Sequence, residues 1–163
     1  MSEDMAGPHW DFALKLYGGE GVSPACLVLQ DRAGIDVNVL LVALYAAHIG
    51  KGVGAAEIAA LDVAGEPIRN GVVVPLRTVR RQMKGADFGP ATEQARNKVK
   101  VAELAAEQLE QAALAAVVTK WANGAVSAEA VVAAAVAHYG RPEDDDIRSA
   151  MALIARAAKA MAA

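Results

Sequence analysis

Three arginines, Arg77, Arg80 and Arg81, stand at helical spacing, with Lys84 one turn further along. Side chains three or four residues apart share a helix face, so three of these four charges lie on one side. Guanidinium forks engage two oxygens at once, which suits phosphate or carboxylate. Arg69 upstream and Arg96, Lys98 and Lys100 downstream make this stretch basic in a chain whose net charge is -3. One reading is a site for a small anion held by Arg77, Arg80 and Arg81. The other is internal pairing, because Glu103 and Glu107 lie one turn apart on the next helix and offer carboxylates to the same forks. No aromatic residues interleave with the basic ones, so a stacking platform for single-stranded nucleic acid is lacking. The mild negative charge gives no global attraction to nucleic acid either.

A second group of polar residues falls on the most apolar helix of the sequence. Asn38, Tyr45 and His48 stand at i, i+7 and i+10, which is one stripe. One reading is a pocket near the arginines, with His48 as acid, base or ligand and Asn38 beside it. In the other, Asn38 supports the helix start while Tyr45 and His48 reach the surface at its end. Gln30, Asp31 and Asp36 form a third cluster. A carboxylate pair there suits acid–base work, whereas Asp36 as a helix cap and Asp31 paired with an arginine need no chemistry.

Stronger signatures are missing. Gly50-Lys51-Gly52-Val53-Gly54 is glycine-rich but follows a helix and lacks the phosphate-loop pattern. His9, His48 and His138 have no metal-ligand spacing, and Cys26 has no neighbouring cysteine. Neither a metal nor a cofactor is expected.

The elements that must position these residues are helices. Val37 to Ile49 is apolar almost all the way round, so it belongs at the centre of a helical core. Asp36 caps it, and Gly34 stops the helix before it. That earlier helix is expected to start at Ser23-Pro24. The first helix opens at Pro8 and presents Trp10, Ala13, Leu14 and Tyr17 on one face. Gly54 to Leu61 gives at most a short helix, with a loop at Gly65-Glu66-Pro67. Residues 70–84 combine Val72-Val73-Val74 with Pro75 and are assigned to a helix on the spacing of Val73, Leu76, Val79 and Arg80. A long helix over 91–122 is expected to bury Leu104, Ala105, Leu109, Ala112, Ala116 and Val117. Ser127 caps a further helix, and Pro142 with the acidic run Glu143 to Asp146 opens the last one. The expected fold is all-α, a helical bundle of about six to seven helices. Residues 8–122 form its core domain, and residues 123–163 an alanine-rich helical pair or extension.

Composition agrees with this. Hydrophobic residues make up 55% of the chain but aromatics only 4%, so the core is built from Leu, Val and Ala. One cysteine excludes an internal disulfide. The longest apolar run, Val39 to Ala47, is about half the length of a spanning helix, and the acidic start is unlike a secretory signal. A cytoplasmic protein without a transmembrane segment is expected.

The run Trp10-Asp11-Phe12-Ala13, Tyr17, Gly21-Val22, Ala25-Cys26-Leu27-Val28-Leu29-Gln30-Asp31-Arg32, Gly34 and Asp36-Val37-Asn38 resembles a small bacterial family of unknown function. Its shared core is Cys-Leu-x-Leu-Gln followed by Gly-x-Asp-Val-Asn-x-Leu-Leu. Pro75-Leu76-Arg77, Arg80-Arg81, Glu103-Leu104 and Glu107 also look like that family. The likeness covers roughly residues 8–120; Tyr45 stands where the family pattern has tryptophan. The resemblance implies a shared helical domain and no known activity. It also implies that Gln30, Asp31, Asp36, Asn38, Arg77, Arg80, Arg81, Glu103 and Glu107 meet in one polar network. With motifs so sparse, the leading expectation is a non-catalytic interaction or adaptor protein that binds another protein or itself. The alternative is a binder of a small anionic ligand, or an enzyme acting on one, with nucleic acid ranked last.

Overall fold

The computed structural model describes residues 5–140 and 144–161. Among them the helices are α1 (Pro8–Tyr17), α2 (Val22–Ala33), α3 (Val37–His48), α4 (Ala55–Ile68), a π-turn (Arg69–Val73), α5 (Val74–Met83), α6 (Thr92–Val118), α7 (Ala128–Tyr139) and α8 (Asp145–Met161). Because α4, the π-turn and α5 run on without a break, the architecture is an all-α bundle of seven helical segments. No helix among the described residues is long and apolar enough to cross a membrane.

The apolar α3 sits where its sequence requires. Its side chains from Asn38 to Leu44, and Ala46, are buried, and it packs against α1, α4, α6 and α7. The Asp36 carboxylate caps it by accepting from the Asn38 N–H at 2.9 Å. The preceding turn needs Gly34, whose φ of 69° ends α2 in the left-handed region. α2 starts earlier than Ser23-Pro24 predicts, at Val22 behind a left-handed Gly21.

α7 and α8 supply Val131, Val132, Ala135, Val136, Ile147, Ala150 and Ile154 to the same apolar core as α2 and α3. The small alanines let α8 lie close along α2. Arg32 at the end of α2 pairs with Asp144 and Asp146 at the start of α8. Pro142 and Glu143, expected to open α8, lie outside the described residues.

Three sequence expectations are corrected. The loop expected at Gly65-Glu66-Pro67 is helix, and α4 continues to Ile68. Gly65 is buried where α4 meets α6: a Cβ there would lie 3.2 Å from Leu114 Cδ2 and 3.5 Å from Glu110. It is glycine for close packing, not for a turn. Pro67 cannot donate a backbone bond to Val63, which lies one turn back on α4 and is 70% exposed. Pro75 would in an ideal helix press on the Gly71 carbonyl, and the wider π-turn just before it relieves that clash.

On α1 the buried residues are His9, Trp10, Phe12, Ala13 and Leu16, while Leu14 and Tyr17 stay exposed. α6 is inverted more fully. It buries Arg96, Glu103, Ala106, Glu110, Gln111, Leu114 and Val118, and leaves Leu104 and Leu109 about half exposed at 47% and 46%. Glu103 faces inward because the Arg77 and Arg80 guanidinium groups wait there.

The glycine run after α3 is also structural. Gly52 N–H donates to the Ala122 carbonyl at 3.0 Å and Gly124 N–H to the Gly50 carbonyl at 2.9 Å. This Lys51–Asn123 bridge, the one β-pairing among the described residues, ties the end of α3 to the end of α6. The two glycines allow the backbones to touch, since a Cβ on Gly124 would lie 3.0 Å from Gly52 Cα.

Candidate functional site

The inward face of α6 meets two sets of arginines. Arg77 on α5 donates from Nε to Glu103 and from Nη2 to Glu107, both at 3.3 Å. Arg80 grips Glu103 with Nε and again with Nη2. Arg96 braces the same corner by donating to the Arg80 carbonyl at 3.2 Å. Glu103 is 9% exposed at its side chain and Arg77 19%, so these are largely desolvated ion pairs. Burial pushes the Glu107 carboxyl above its ordinary range, with the Arg77 charge opposing the shift.

One turn along α6 the network changes character. Glu110 is fully buried, and neither carboxylate oxygen has a hydrogen-bond partner. Burial first, and then the negative charge of Asp36, raise it to about 9. The group is a neutral carboxylic acid at pH 7. Asp36, besides capping α3, takes a hydrogen bond from Arg69 at 2.7 Å. The same guanidinium reaches Asp62 at 2.9 Å. Asp62 also accepts from the Tyr139 hydroxyl at 2.9 Å and meets His138 Nε2 at 2.9 Å. Burial works to raise Asp62, but His138, Tyr139 and the Arg69 charge outweigh it and hold it below its ordinary range. Beside Glu110, the Gln111 amide donates to Asn38 Oδ1 at 2.9 Å.

This network floors a cleft of about 150 Å³ between α1, α2, α3, α5 and α6. Gln30, Asn38, Arg77, Glu107 and Gln111 line its polar side, and Trp10, Ala13, Leu14, Leu27, Leu41 and Leu104 its apolar side. Leu14, Leu27 and Leu104 are 54%, 45% and 47% exposed, so the cleft has an apolar rim in water. Gln30 and Arg77 also line an adjoining cavity of about 200 Å³ with Asp36, Arg69 and Tyr139.

Most of the polar residues singled out in the sequence therefore converge. Arg77, Arg80, Glu103 and Glu107 are mutually paired, and Asn38, Asp36 and Gln30 stand next to them. Two lie at the edge: Arg81 and Asp31 face each other at 3.8 Å, both more than half exposed. His48 stands apart. It is ten residues beyond Asn38, about 15 Å along α3 at the helical rise, and packs on Phe12 with ring centroids 5.0 Å apart. Tyr45 meets His9 edge-on and Phe12 at a tilt at the same end.

Sequence reasoning placed Arg69 only in the basic stretch and missed Asp62, Tyr139, Glu110 and Gln111. Glu110 carried a signal: Glu103, Glu107, Glu110 and Leu114 repeat at helical spacing opposite a basic helix. Cys26 is buried, and desolvation pushes its thiol up to about 12. Among the described residues, no group of three or more His, Cys, Asp or Glu is placed to hold a metal ion.

Searches of curated proteins and of solved structures gave no match. A family model described as a protein of unknown function, DUF2390, matches residues 8–114, a stretch that spans α1 through most of α6 and so includes the cleft; the chain belongs to that family.

Proposed function

We propose that this is a bacterial, cytoplasmic, non-catalytic interaction module, and that the cleft between α1, α2 and α6 receives a protein partner. The reading is carried by Leu14, Leu27 and Leu104, three large aliphatic side chains from three helices that stay exposed around one opening. Apolar side chains gathered round a concave site favour association, because a partner removes them from water. The groups of ordinary acid–base chemistry nearest the cleft are engaged with one another: Arg77 and Arg80 with Glu103 and Glu107. The alternative, a small anion held by Arg77, Arg80 and Arg81, has to displace those carboxylates first, and so has less support. A reduced, buried Cys26 suits the cytoplasm.

The test is site-specific photo-crosslinking in the native cell. A photoreactive residue at position 27 or at position 104 is expected to capture the same polypeptide. One at position 63, a more open site on α4, is expected to capture none. Leu14→Asp should abolish the adducts without unfolding the chain. Identical patterns from all three positions, or no adduct from 27 and 104, would refute the reading.

A further inference from the structure

We propose that the end of the α5–α6 hairpin docks on an anionic lipid bilayer: Phe88 enters the membrane interface while Arg81, Lys84, Lys98 and Lys100 meet headgroup phosphates. The docking is peripheral and reversible. It uses a surface separate from the cleft, because Leu104 at the cleft mouth lies twelve residues beyond Thr92, about 18 Å along α6.

Placement leaves this end free. No residue from 74 to 102 contributes to the apolar core, and α5 buries none of its side chains. The two helices hold each other through Arg77, Arg80 and Arg96. The loop between them is open to water at Gly85 and from Asp87 to Ala91.

Charge selects the surface it can meet. Residues 77–107 hold seven of the sixteen Lys and Arg and four of the nineteen Asp and Glu. A chain of net charge -3 therefore carries +3 here and -6 elsewhere. An anionic surface repels the body and attracts the hairpin, so the chain approaches it hairpin first. Arg77 and Arg80 are spent on Glu103 and Glu107, and Arg96 pairs with Glu93. Lys84, Lys98 and Lys100 are exposed and have no ion-pair partner among the described residues. Arg81 has only its long contact with Asp31.

Phe88 decides between lipid and other polyanions. At 76% it is the most exposed large apolar side chain among the described residues. Its loop is pinned. The Phe88 N–H donates to Thr92 Oγ1 at 2.9 Å, and that hydroxyl donates to the Gly89 carbonyl at 2.7 Å. Asp87, the one acid in the loop, accepts from the Gly89 N–H at 3.1 Å. A turn that ties up its own polar groups thus holds an aromatic ring out in water, beside basic side chains. Rings and basic side chains together are what binds at a headgroup–acyl boundary. Single-stranded nucleic acid stacks on a succession of aromatic rings, and this loop offers one.

The experiment sediments the full chain with phosphatidylcholine vesicles, with and without phosphatidylglycerol. Binding is expected to the mixed vesicles alone and should weaken as salt rises. Lys84→Ala and Lys98→Ala should each weaken it about fivefold, and Phe88→Ala about tenfold. Val63→Ala, at an exposed site on α4, should leave it unchanged. All four positions are exposed, so urea midpoints near that of the unaltered chain should accompany these results. Equal binding to both vesicle types overturns the headgroup contacts. Mixed-vesicle binding that survives Phe88→Ala in full overturns the insertion. No binding to either vesicle overturns the proposal, and lysine-dependent binding of duplex DNA in its place makes the hairpin a nucleic-acid surface. None of these outcomes bears on crosslinking from positions 27 and 104.

Discussion

Replacing Glu110 with glutamine should stabilise this protein at neutral pH, and the gain should grow with pH. The folded carboxyl titrates at about 9, against 4.5 for the ordinary group. Between these values the unfolded chain has released its proton and the folded chain has not. The folded state therefore binds more protons, and stability falls as pH rises through this window. Each pH unit is worth about 1.4 kcal/mol. From pH 4.5 to pH 7 the wild type loses about 3 kcal/mol from this one residue, and the loss continues until about pH 9. Glu110→Gln keeps the shape and a donor like that of the protonated acid, and does not titrate. Urea unfolding of the two proteins should give matching midpoints near pH 4.5 and a widening gap above it, with unchanged slopes. Groups common to both proteins cancel in the difference, and the negative charge of Asp36 helps to raise Glu110. Asp36→Asn should consequently narrow the gap. A difference that stays flat from pH 5 to pH 8 would mean that Glu110 is ionised in the native state, and would refute the reasoning.

Three further outcomes follow from the packing. Gly65→Ala should cost about 1–3 kcal/mol, because its methyl group meets Leu114 and Glu110 across the α4–α6 contact; Gly71→Ala, with open space around it, should be neutral or stabilising by up to about 1 kcal/mol, measured by the same urea transitions. Arg80→Met should cost about 1.5–3 kcal/mol by taking away one of the two guanidinium forks on Glu103 and leaving Arg77 alone to hold it, whereas Arg81→Met, which loses only an exposed 3.8 Å pair, should fall within about 0.5 kcal/mol. The Cys26 thiol should resist a disulfide-exchange reagent at pH 8 and react at the rate of global unfolding, since it is buried and its thiolate is strongly disfavoured; fast modification of the folded protein would contradict that placement.

The fold was legible where a local signal acts alone. An apolar helix has one place to go, and α3 is there. Asp36, Gly34 and Ser127 cap or stop helices through bonds to their own backbone neighbours, so no tertiary knowledge was needed. Gly65 and Pro67 were misread for the opposite reason. Glycine and proline mark turns only when nothing else explains them. Here glycine admits a neighbouring helix, and proline sits one turn beyond Val63, an exposed residue of the same helix. The decisive facts lie on α6 and in the solvent, which local sequence does not contain.

The inversion of α6 shows why the site was only half legible. A pattern argument assigns leucines inward and glutamates outward, and it weighs each helix alone. Glu103 and Glu107 turn inward beside Arg77 and Arg80, which reach them from α5, and Glu110 follows on the same face as a neutral acid. Pairing between the basic and acidic helices is legible in the spacing of Arg77, Arg80, Glu103 and Glu107, and it carries a consequence for the leucines. Once the acids turn in, Leu104 must turn out, and it comes to stand at the mouth of the cleft with Leu14 and Leu27. The exposed apolar rim and the buried charge network are thus two sides of one choice of helix orientation. A substitution that neutralises the network therefore acts on the rim as well: Glu103→Leu with Arg80→Met removes the reason for Leu104 to face water. Photo-crosslinking from position 104 in that double variant should weaken even though neither altered residue lines the opening.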